Sequence, residues 1–171
     1  MGAGIIINTH LYTGNYGQAG EIGRIISREG QNEHQLAKLP NFNSQWSQQA
    51  LIVKAAELKS NPAYSLEMLV ADYNNDDEDI TNLIEHFCYH LAIVTSDLIA
   101  AYDPQMIFFN SPLIDQIPEI LKNIQMKLSF IPLVPPLVMS KDVKAATLLG
   151  GASMAIHRVL HMEGTRLIFH H

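Results

Sequence analysis

Four glycines within ten residues constrain the start of this 171-residue chain more than any other feature. They are Gly14, Gly17, Gly20 and Gly23. Such a density of glycine predicts turns and close backbone approaches that a side chain would block. Upstream, apolar residues on both sides of segment 8–10 predict two short strands joined by a tight turn. The chain therefore begins with a β-hairpin that leads into a glycine-rich loop.

The glycine-rich loop carries a single carboxylate, that of Glu21. A carboxylate accepts hydrogen bonds from two adjacent sugar hydroxyls, and an unpaired buried polar group costs about 1–3 kcal/mol, so such a contact discriminates between stereoisomers. A loop acid that only caps or solvates the local backbone is the alternative interpretation. Gly20 supplies backbone support in either case. The loop is thus a candidate site for a small polar ligand, with Glu21 as its main contact.

Three blocks of sequence resemble the ROK family, which groups repressors, open reading frames and sugar kinases. The first runs from Gly2 to Asn8 and on through the glycine loop to Gly23. The second covers 102–109, where Asp-Pro precedes an apolar strand, and the third is the small-residue segment 145–152. The blocks occur in family order and span most of the chain. The resemblance implies an α/β fold: the C-terminal lobe of an actin-like ATPase (ribonuclease H-like) fold, with a mixed sheet and packed helices.

In the family, this lobe follows a first lobe that carries the phosphate-binding loop and the catalytic base in the kinases. The repressors add a helix-turn-helix domain in front. Neither has a counterpart in this sequence, so we expect residues 1–171 to form a single domain that is the C-terminal lobe of a longer protein. The resemblance is greatest to sugar-responsive repressors of the xylose-repressor type.

Departures from the family pattern concern zinc and nucleotide. Arg24 stands where the family has a zinc-binding histidine, and residues 25–43 contain no cysteine. A structural zinc needs about four such ligands, so we expect no metal and no cofactor. By loose alignment the family's second sugar-binding acid falls near Asn43, whose amide can hydrogen-bond to a hydroxyl. The turn 110–112 contains proline, which removes an N–H from the place of the family's glycine-rich nucleotide turn.

Arg24 has two possible roles. It lies three residues after Glu21 and can pair with that carboxylate, which would weaken Glu21 as a hydroxyl acceptor. Alternatively, its guanidinium matches the geometry of a phosphate. In the second case a sugar phosphate becomes a plausible effector beside a neutral sugar.

Composition limits the partners of this chain. Its formal net charge is −6, and the lysines and arginines form no basic stripe, whereas duplex binding depends on phosphate neutralisation. We therefore expect DNA contact only through an absent N-terminal domain. The single cysteine, Cys88, excludes an internal disulfide and fits a reducing cytoplasm. With no signal peptide and no uninterrupted apolar run of about 20 residues, the predicted location is the cytoplasm, without a membrane partner.

Periodicity and capping residues predict the remaining elements. Helices are predicted from Asn43 or Ser44 to Lys59, from Pro62 to about Tyr73, from the acidic cluster 74–79 to Ala101, over 118–128, and from Val143, capped by Asp142, to about His161. Buried strands are predicted at 106–109 and after Pro136. Residues 28–44 otherwise read as a long loop. Gly150-Gly151 within the last helix predicts close backbone packing or ligand approach.

Two histidine pairs have the i,i+4 spacing that can chelate zinc on a helix, namely His86/His90 and His157/His161. Neither pair has a third ligand at motif spacing. The first pair lies off the main apolar stripe of its helix, so we expect it at a surface or an interface. Cys88 is predicted to be a small core residue.

Both long helices carry apolar residues on two faces. Ile93 lies opposite Phe87, and Leu148 and Val159 lie opposite Met154. Such helices are sandwiched inside a protein or used at a partner surface. Because family repressors and kinases dimerise through this lobe, the resemblance implies a homodimer. Apolar surface left open by the absent first lobe is the alternative.

These features favour a non-enzymatic, effector-sensing and dimerising lobe of a ROK-type repressor of sugar utilisation, with no catalytic residues. In the longer protein a sugar would sit between the lobes, against Glu21. Half of a ROK sugar kinase is the alternative, and a degenerate lobe kept for oligomerisation is a third possibility.

Overall fold

The computed structural model describes residues 1–26, 39–143 and 145–160. Its strands are β1 (Ile5–Ile7), β2 (His10–Tyr12), β3 (Ile107–Phe109) and β4 (Leu137–Met139). Its α-helices are α1 (Phe42–Trp46), α2 (Gln48–Leu58), α3 (Leu66–Asn74), α4 (Glu78–Tyr102), α5 (Pro112–Gln116), α6 (Glu119–Lys127) and α7 (Ala146–Leu160). A 3-10 turn covers Ile22–Arg24.

The predicted hairpin is present. β1 and β2 pair antiparallel, with Ile6 opposite Leu11. The turn between them places Asn8 at φ 51° and Thr9 at φ 68°. Two successive left-handed residues are the requirement of a type I′ turn, whose twist matches that of the flanking strands. The prediction of two strands joined by a tight turn is therefore confirmed.

The second pair of strands is parallel, with Phe108 of β3 opposite Val138 of β4. Leu137 is buried, whereas Phe108 is 64% exposed. Since alternate strand residues point to opposite faces, one face of this pair packs on the core and the other is open. The expectation that β3 is wholly buried between helix layers was wrong for that outer face. In the described ranges, the antiparallel and parallel pairs form two separate two-stranded sheets.

The core forms around α4, which packs chiefly on α6 and also on α2 and α3. Asp77 caps this helix, its Oδ1 accepting from Ile80 N at 3.2 Å, so the acidic cluster is a helix start as predicted. The predicted apolar stripe is confirmed by the buried side chains Ile80, Ile84, Phe87, Leu91, Val94 and Thr95. Cys88 is fully buried, as predicted.

Among the described helices, α4 alone is long and apolar enough to cross a membrane, with mean hydropathy 1.2 over its most apolar window. Half of that window is buried inside the protein. The core helix of a soluble protein passes the same test of length and composition. Its contacts with α2, α3 and α6 identify α4 as the central core helix.

The single helix predicted up to Lys59 is divided into α1 and α2. Asn41, not Asn43 or Ser44, caps α1, its Oδ1 accepting from Ser44 N at 2.9 Å. Ser47 is extended, with ψ 159°, and its Oγ accepts from Ala50 N at 3.2 Å to begin α2. Serine competes with the helical backbone for hydrogen bonds, so the chain turns a corner at Ser47. Similarly, α3 begins after Ser65 rather than at Pro62.

The last helix follows its predicted cap, because Asp142 Oδ1 accepts from Ala145 N at 2.8 Å. Of the two explanations for Gly150 and Gly151, close backbone packing is not found in the described part of the chain, where a Cβ built on either glycine meets nothing within 4 Å. Ligand approach stays a prediction. The predicted loop 28–44 lies outside the described residues up to position 38, and the His157/His161 pair lies outside the described side chains.

Candidate functional site

The glycine loop is fixed to the N-terminal segment by backbone hydrogen bonds. Ala3 N donates to Gly20 O at 2.7 Å. Gly20 has φ +83°, and a Cβ at this position would overlap the carbonyl oxygen of Ala3. Only glycine combines a left-handed backbone with this close approach. Position 20 therefore sets the path by which the chain enters the segment around Glu21.

Gly23 sets the path of the chain on the other side of Glu21. It is buried, and its N–H donates to Met1 O at 3.2 Å. A Cβ built here would lie 2.6 Å from Met1 O and 3.1 Å from the Cβ of Asn43. The 3-10 turn Ile22–Arg24 is thus wedged between the start of the chain and α1.

Glu21 stands at the start of this 3-10 turn, and its side chain makes no capping hydrogen bond. Its carboxylate lies 3.7 Å from the Nε of Arg24, in an ion pair whose side chains are 53% and 65% exposed. Nη1 of Arg24 also donates to Gln18 Oε1 at 2.7 Å. Of the two roles considered for Arg24, pairing with Glu21 is the arrangement in this structure. Solvent screens an exposed pair of this kind, and both groups stay open to a ligand.

Asn43 lies in the first turn of α1. Its Oδ1 accepts a hydrogen bond of 2.7 Å from the amino group of Met1, and its Cβ faces the backbone of Gly23. The structure therefore brings Asn43 next to Gly23, in the 3-10 turn that starts after Glu21 and ends with Arg24. Glu21, Arg24 and Asn43 are the candidate polar side chains around this turn. Together they offer a carboxylate, a guanidinium and an amide, which accept from and donate to neighbouring hydroxyls.

Metal binding has little support in this region. Within residues 1–26, 39–143 and 145–160, no three His, Cys, Asp or Glu side chains are grouped so as to hold an ion.

The turn after β3, at the place of the family's nucleotide turn, has no glycine. There Ser111 Oγ accepts from Ile114 N at 3.5 Å, and Pro112 occupies the first turn of α5. This segment serves to start a helix.

His90 corrects one prediction and adds a feature that the sequence did not reveal. It is 9% exposed, not on the surface. Its ring stacks on that of Trp46 at a centroid distance of 4.2 Å and 17° between planes. On Trp46 also lies the ammonium group of Lys54, 3.6 Å from the ring centroid. Residues from α1, α2 and α4 thus form one layered cluster, which only tertiary packing reveals.

Gln18 is a second residue that the sequence did not reveal. Its amide oxygen holds Arg24 across six positions of chain. The signal was weak, since glutamine in a polar loop is ordinary. The contact depends on the turn made by the left-handed Gly17 and Gly20.

A cavity of about 150 Å³ lies apart from these residues, between α3, α4 and α6. Its lining includes Tyr73, Cys88, Glu119 and Asn123. Burial raises the pKa of the Cys88 thiol to about 11, which keeps it protonated at neutral pH. Protonated thiols are poor nucleophiles and poor metal ligands, so this cavity does not add a reactive centre.

Comparison with known proteins identifies the family of this chain. The ROK family model matches residues 1–158. The chain belongs to the ROK family. It is similar to the xylose repressor of Lactiplantibacillus pentosus, with 31% identity over 170 residues, which are 99% of this chain and 43% of the relative. This ROK chain thus spans less than half the length of the curated repressors it matches.

Solved structures give the fold. A ROK hexokinase from Thermus thermophilus superposes with TM-score 0.74 at 21% identity, over 94% of this chain and 55% of that one. A ROK transcriptional regulator, homologous to the Escherichia coli MLC protein, gives TM-score 0.75 at 24% identity, over 95% and 46%. The actin-like ATPase fold implied by the resemblance is therefore confirmed. At these identities the likeness establishes the fold alone.

Proposed function

We propose that this ROK chain is the effector-sensing and dimerisation lobe of a sugar-responsive transcriptional repressor, located in the cytoplasm. The observation that carries the proposal is 31% identity to a xylose repressor along 99% of the chain. The corresponding protein is longer, with this chain as its C-terminal lobe and DNA contact made elsewhere. The net charge of −6 on this lobe agrees with that division of labour.

The effector is a sugar or sugar phosphate bound beside the glycine loop. Glu21 accepts hydrogen bonds from two adjacent hydroxyls, and Asn43 hydrogen-bonds to a third group from the neighbouring helix. Arg24, held by Gln18 at 2.7 Å, keeps the Glu21 carboxylate oriented when the effector is neutral. It turns to a phosphate oxygen when the effector is phosphorylated.

Sensing requires two states with different affinities for the effector. In this proposal, effector binding favours an arrangement of lobes or subunits in which the DNA-reading parts no longer fit the operator. By linkage, operator DNA then lowers the affinity for the sugar by the same factor. The lobe performs no chemistry in this scheme.

The test uses the longer protein that contains this chain. D-xylose, D-glucose and their phosphates are titrated by calorimetry, and release of operator DNA is followed by fluorescence anisotropy. We expect one sugar to release DNA and Glu21→Gln to raise the required concentration at least about tenfold, which corresponds to one lost charged hydrogen bond. Glu57→Gln, on the exposed side of α2, is the matched control and leaves the response unchanged.

Two results would overturn the proposal. ATP-dependent phosphorylation of a sugar by the longer protein would assign it to the kinases instead. DNA release that is insensitive to every sugar, together with an intact oligomer, would indicate a lobe kept only for assembly.

A further inference from the structure

Helix α1 contacts the candidate effector site at its N-terminal end. The bridge between Ile26 and Asn41, together with a 2.7 Å hydrogen bond from Phe42 N to Ile25 O, joins it to the chain just after the 3-10 turn. Asn43 accepts a hydrogen bond from the Met1 amino group, and its Cβ faces Gly23 in the middle of that turn. A ligand that moves the loop therefore moves the start of α1.

The other end of α1 contacts the core helix. Trp46, its last residue, is 4% exposed and stacks on His90 of α4. Because α1 has only five residues, Asn43 and Trp46 lie within one helical turn of each other. The two contacts are therefore joined through a single helical turn.

Trp46 also carries an unusual polar defect. Its Nε1 is buried without a hydrogen-bond partner among the described residues. A buried indole N–H normally finds a partner. A second position of α1 that gives this donor a partner or a water would recover part of the cost of shifting the ring. A helix can occupy two positions only if their free energies are similar, and a partner for Trp46 Nε1 in the second position would reduce the difference.

We propose that α1 transmits effector binding at the glycine loop to α4 by moving the Trp46 ring relative to His90. This regulatory inference rests on the proposed function, because it uses the same site. His90 is in edge contact with Tyr89, at a centroid distance of 5.2 Å. Tyr89 and Ile93 are 54% and 43% exposed on the outer face of α4. A shift of the stack therefore reaches a surface available to a partner subunit.

The sequence offers a direct readout, since Trp46 is the only tryptophan. Gly23→Ala mimics pressure from the loop, because the added Cβ must displace Met1 O or Asn43. Gly4→Ala, near the start of the chain, is the matched control, because a Cβ there would meet only Leu11 Cδ1, at 3.9 Å, among the described residues. We expect Gly23→Ala to shift the Trp46 emission maximum and Gly4→Ala to leave it unchanged. If Gly23→Ala does not fold, Asn43→Ala tests the same contact without adding volume.

A double-mutant cycle tests whether the loop and His90 are coupled. His90→Asn removes the stacked ring, and His86→Asn, one turn earlier and exposed, is its control. Independent sites would give unfolding constants that multiply to within about twofold. We expect the Gly23→Ala or Asn43→Ala cycle with His90→Asn to deviate by at least about fivefold, and the cycle with His86→Asn to multiply. His90→Phe, which keeps a ring against Trp46, should restore the coupling.

D-xylose, added to the longer protein with any tryptophan outside this chain replaced by phenylalanine, separates this inference from the proposed function. If the sugar binds and shifts Trp46 emission in the wild type but not in His90→Asn, both stand. If no sugar binds, the proposed function fails while the cycle still decides the coupling. Multiplicative cycles for every pair, with unchanged Trp46 emission, would overturn the role of α1.

Discussion

The ring of Trp46 lies parallel to that of His90, 4.2 Å away, and so joins a five-residue helix to the longest helix of the protein. The ammonium group of Lys54 also lies over the indole, 3.6 Å from the ring centroid. A cation over an indole face is attracted by the ring quadrupole. Three helices therefore meet at one aromatic side chain, and stability should be sensitive to its shape.

Trp46→Ala should lower the free energy of unfolding by about 3–5 kcal/mol, because it leaves a large cavity in the core. Trp46→Phe should cost less than Trp46→Ala, since it keeps a ring, leaves a smaller cavity and removes a donor that has no partner among the described residues. Urea unfolding followed by far-ultraviolet circular dichroism measures both variants without the lost fluorophore. Equal losses for the two variants would mean that the indole N–H makes a bond the protein needs.

Gly20 should be the least replaceable glycine of the loop. Gly20→Ala combines a left-handed backbone with an overlap onto Ala3 O, so we expect a loss of more than about 2 kcal/mol. Gly17 is the matched control: it is also left-handed, at φ +69°, but a Cβ there meets no atom of the described residues within 4 Å. Gly17→Ala should cost about 1–2 kcal/mol from backbone strain alone.

Thermal and urea unfolding of both variants give the comparison. Equal losses would contradict the close approach of Gly20 to Ala3. The same pair also separates loop structure from ligand contact, since neither substitution changes a polar side chain.

Local sequence signals predicted the local structure well and the tertiary contacts poorly. Asn8 and Thr9 predicted a hairpin turn, and the stripe from Ile80 to Leu91 predicted the buried side of α4, because both depend on neighbouring residues only. The helix break at Ser47 was not predicted. It arises because the Ser47 hydroxyl accepts a hydrogen bond from a backbone N–H and so competes with the helical hydrogen bonds. The stripe alone placed His90 outside, yet α1 covers that face of α4.

The candidate site shows the same division. Glu21 and Gly20 follow from the density of glycine and from the single acid of the loop. Asn43 lies beside Gly23 because α1 packs against the loop. This contact joins residues that are distant in sequence. The hydrogen bond from Arg24 to Gln18 at 2.7 Å involves a glutamine with no distinctive sequence pattern, so it could not be predicted.

The ion pair of Lys59 and Asp77 should make stability depend on pH. Lys59 Nζ lies 2.6 Å from Oδ1 of Asp77. The hydrogen bond from Lys59 lowers the pKa of Asp77 below its usual value. The stabilisation is therefore present above the unfolded carboxyl pKa of about 4 and is lost as pH falls through the folded value. The bond to Asp77 also raises the pKa of Lys59, so the alkaline loss begins only above the ordinary lysine value.

Asp77→Asn isolates the charge, since asparagine is as good an N-cap as aspartate. We expect the difference in unfolding free energy between wild type and Asp77→Asn to be constant from about pH 5 to 9 and to shrink at both extremes. Asp97→Asn, on an exposed position of the same helix, is the control for charge alone. The Asp77 carboxyl titrates between about pH 2 and 7. If the difference in unfolding free energy between wild type and Asp77→Asn stays the same over this range, the pair has no role in stability.

Cys88 should react with thiol reagents only when the protein opens. The side chain is fully buried and points to Ile120 O at 3.9 Å, and burial raises the pKa of the thiol to about 11. Because the thiolate is the nucleophile, iodoacetamide at pH 8 should label native protein at least about 100-fold more slowly than urea-unfolded protein. As the only cysteine, it gives one modification in mass spectra.

Ile120 lines the adjacent cavity of about 150 Å³, so Ile120→Ala should speed native labelling, whereas Met126→Ala, on the exposed side of α6, should not. Rapid labelling of the wild type would mean that the cavity admits reagent without any opening of α4 and α6.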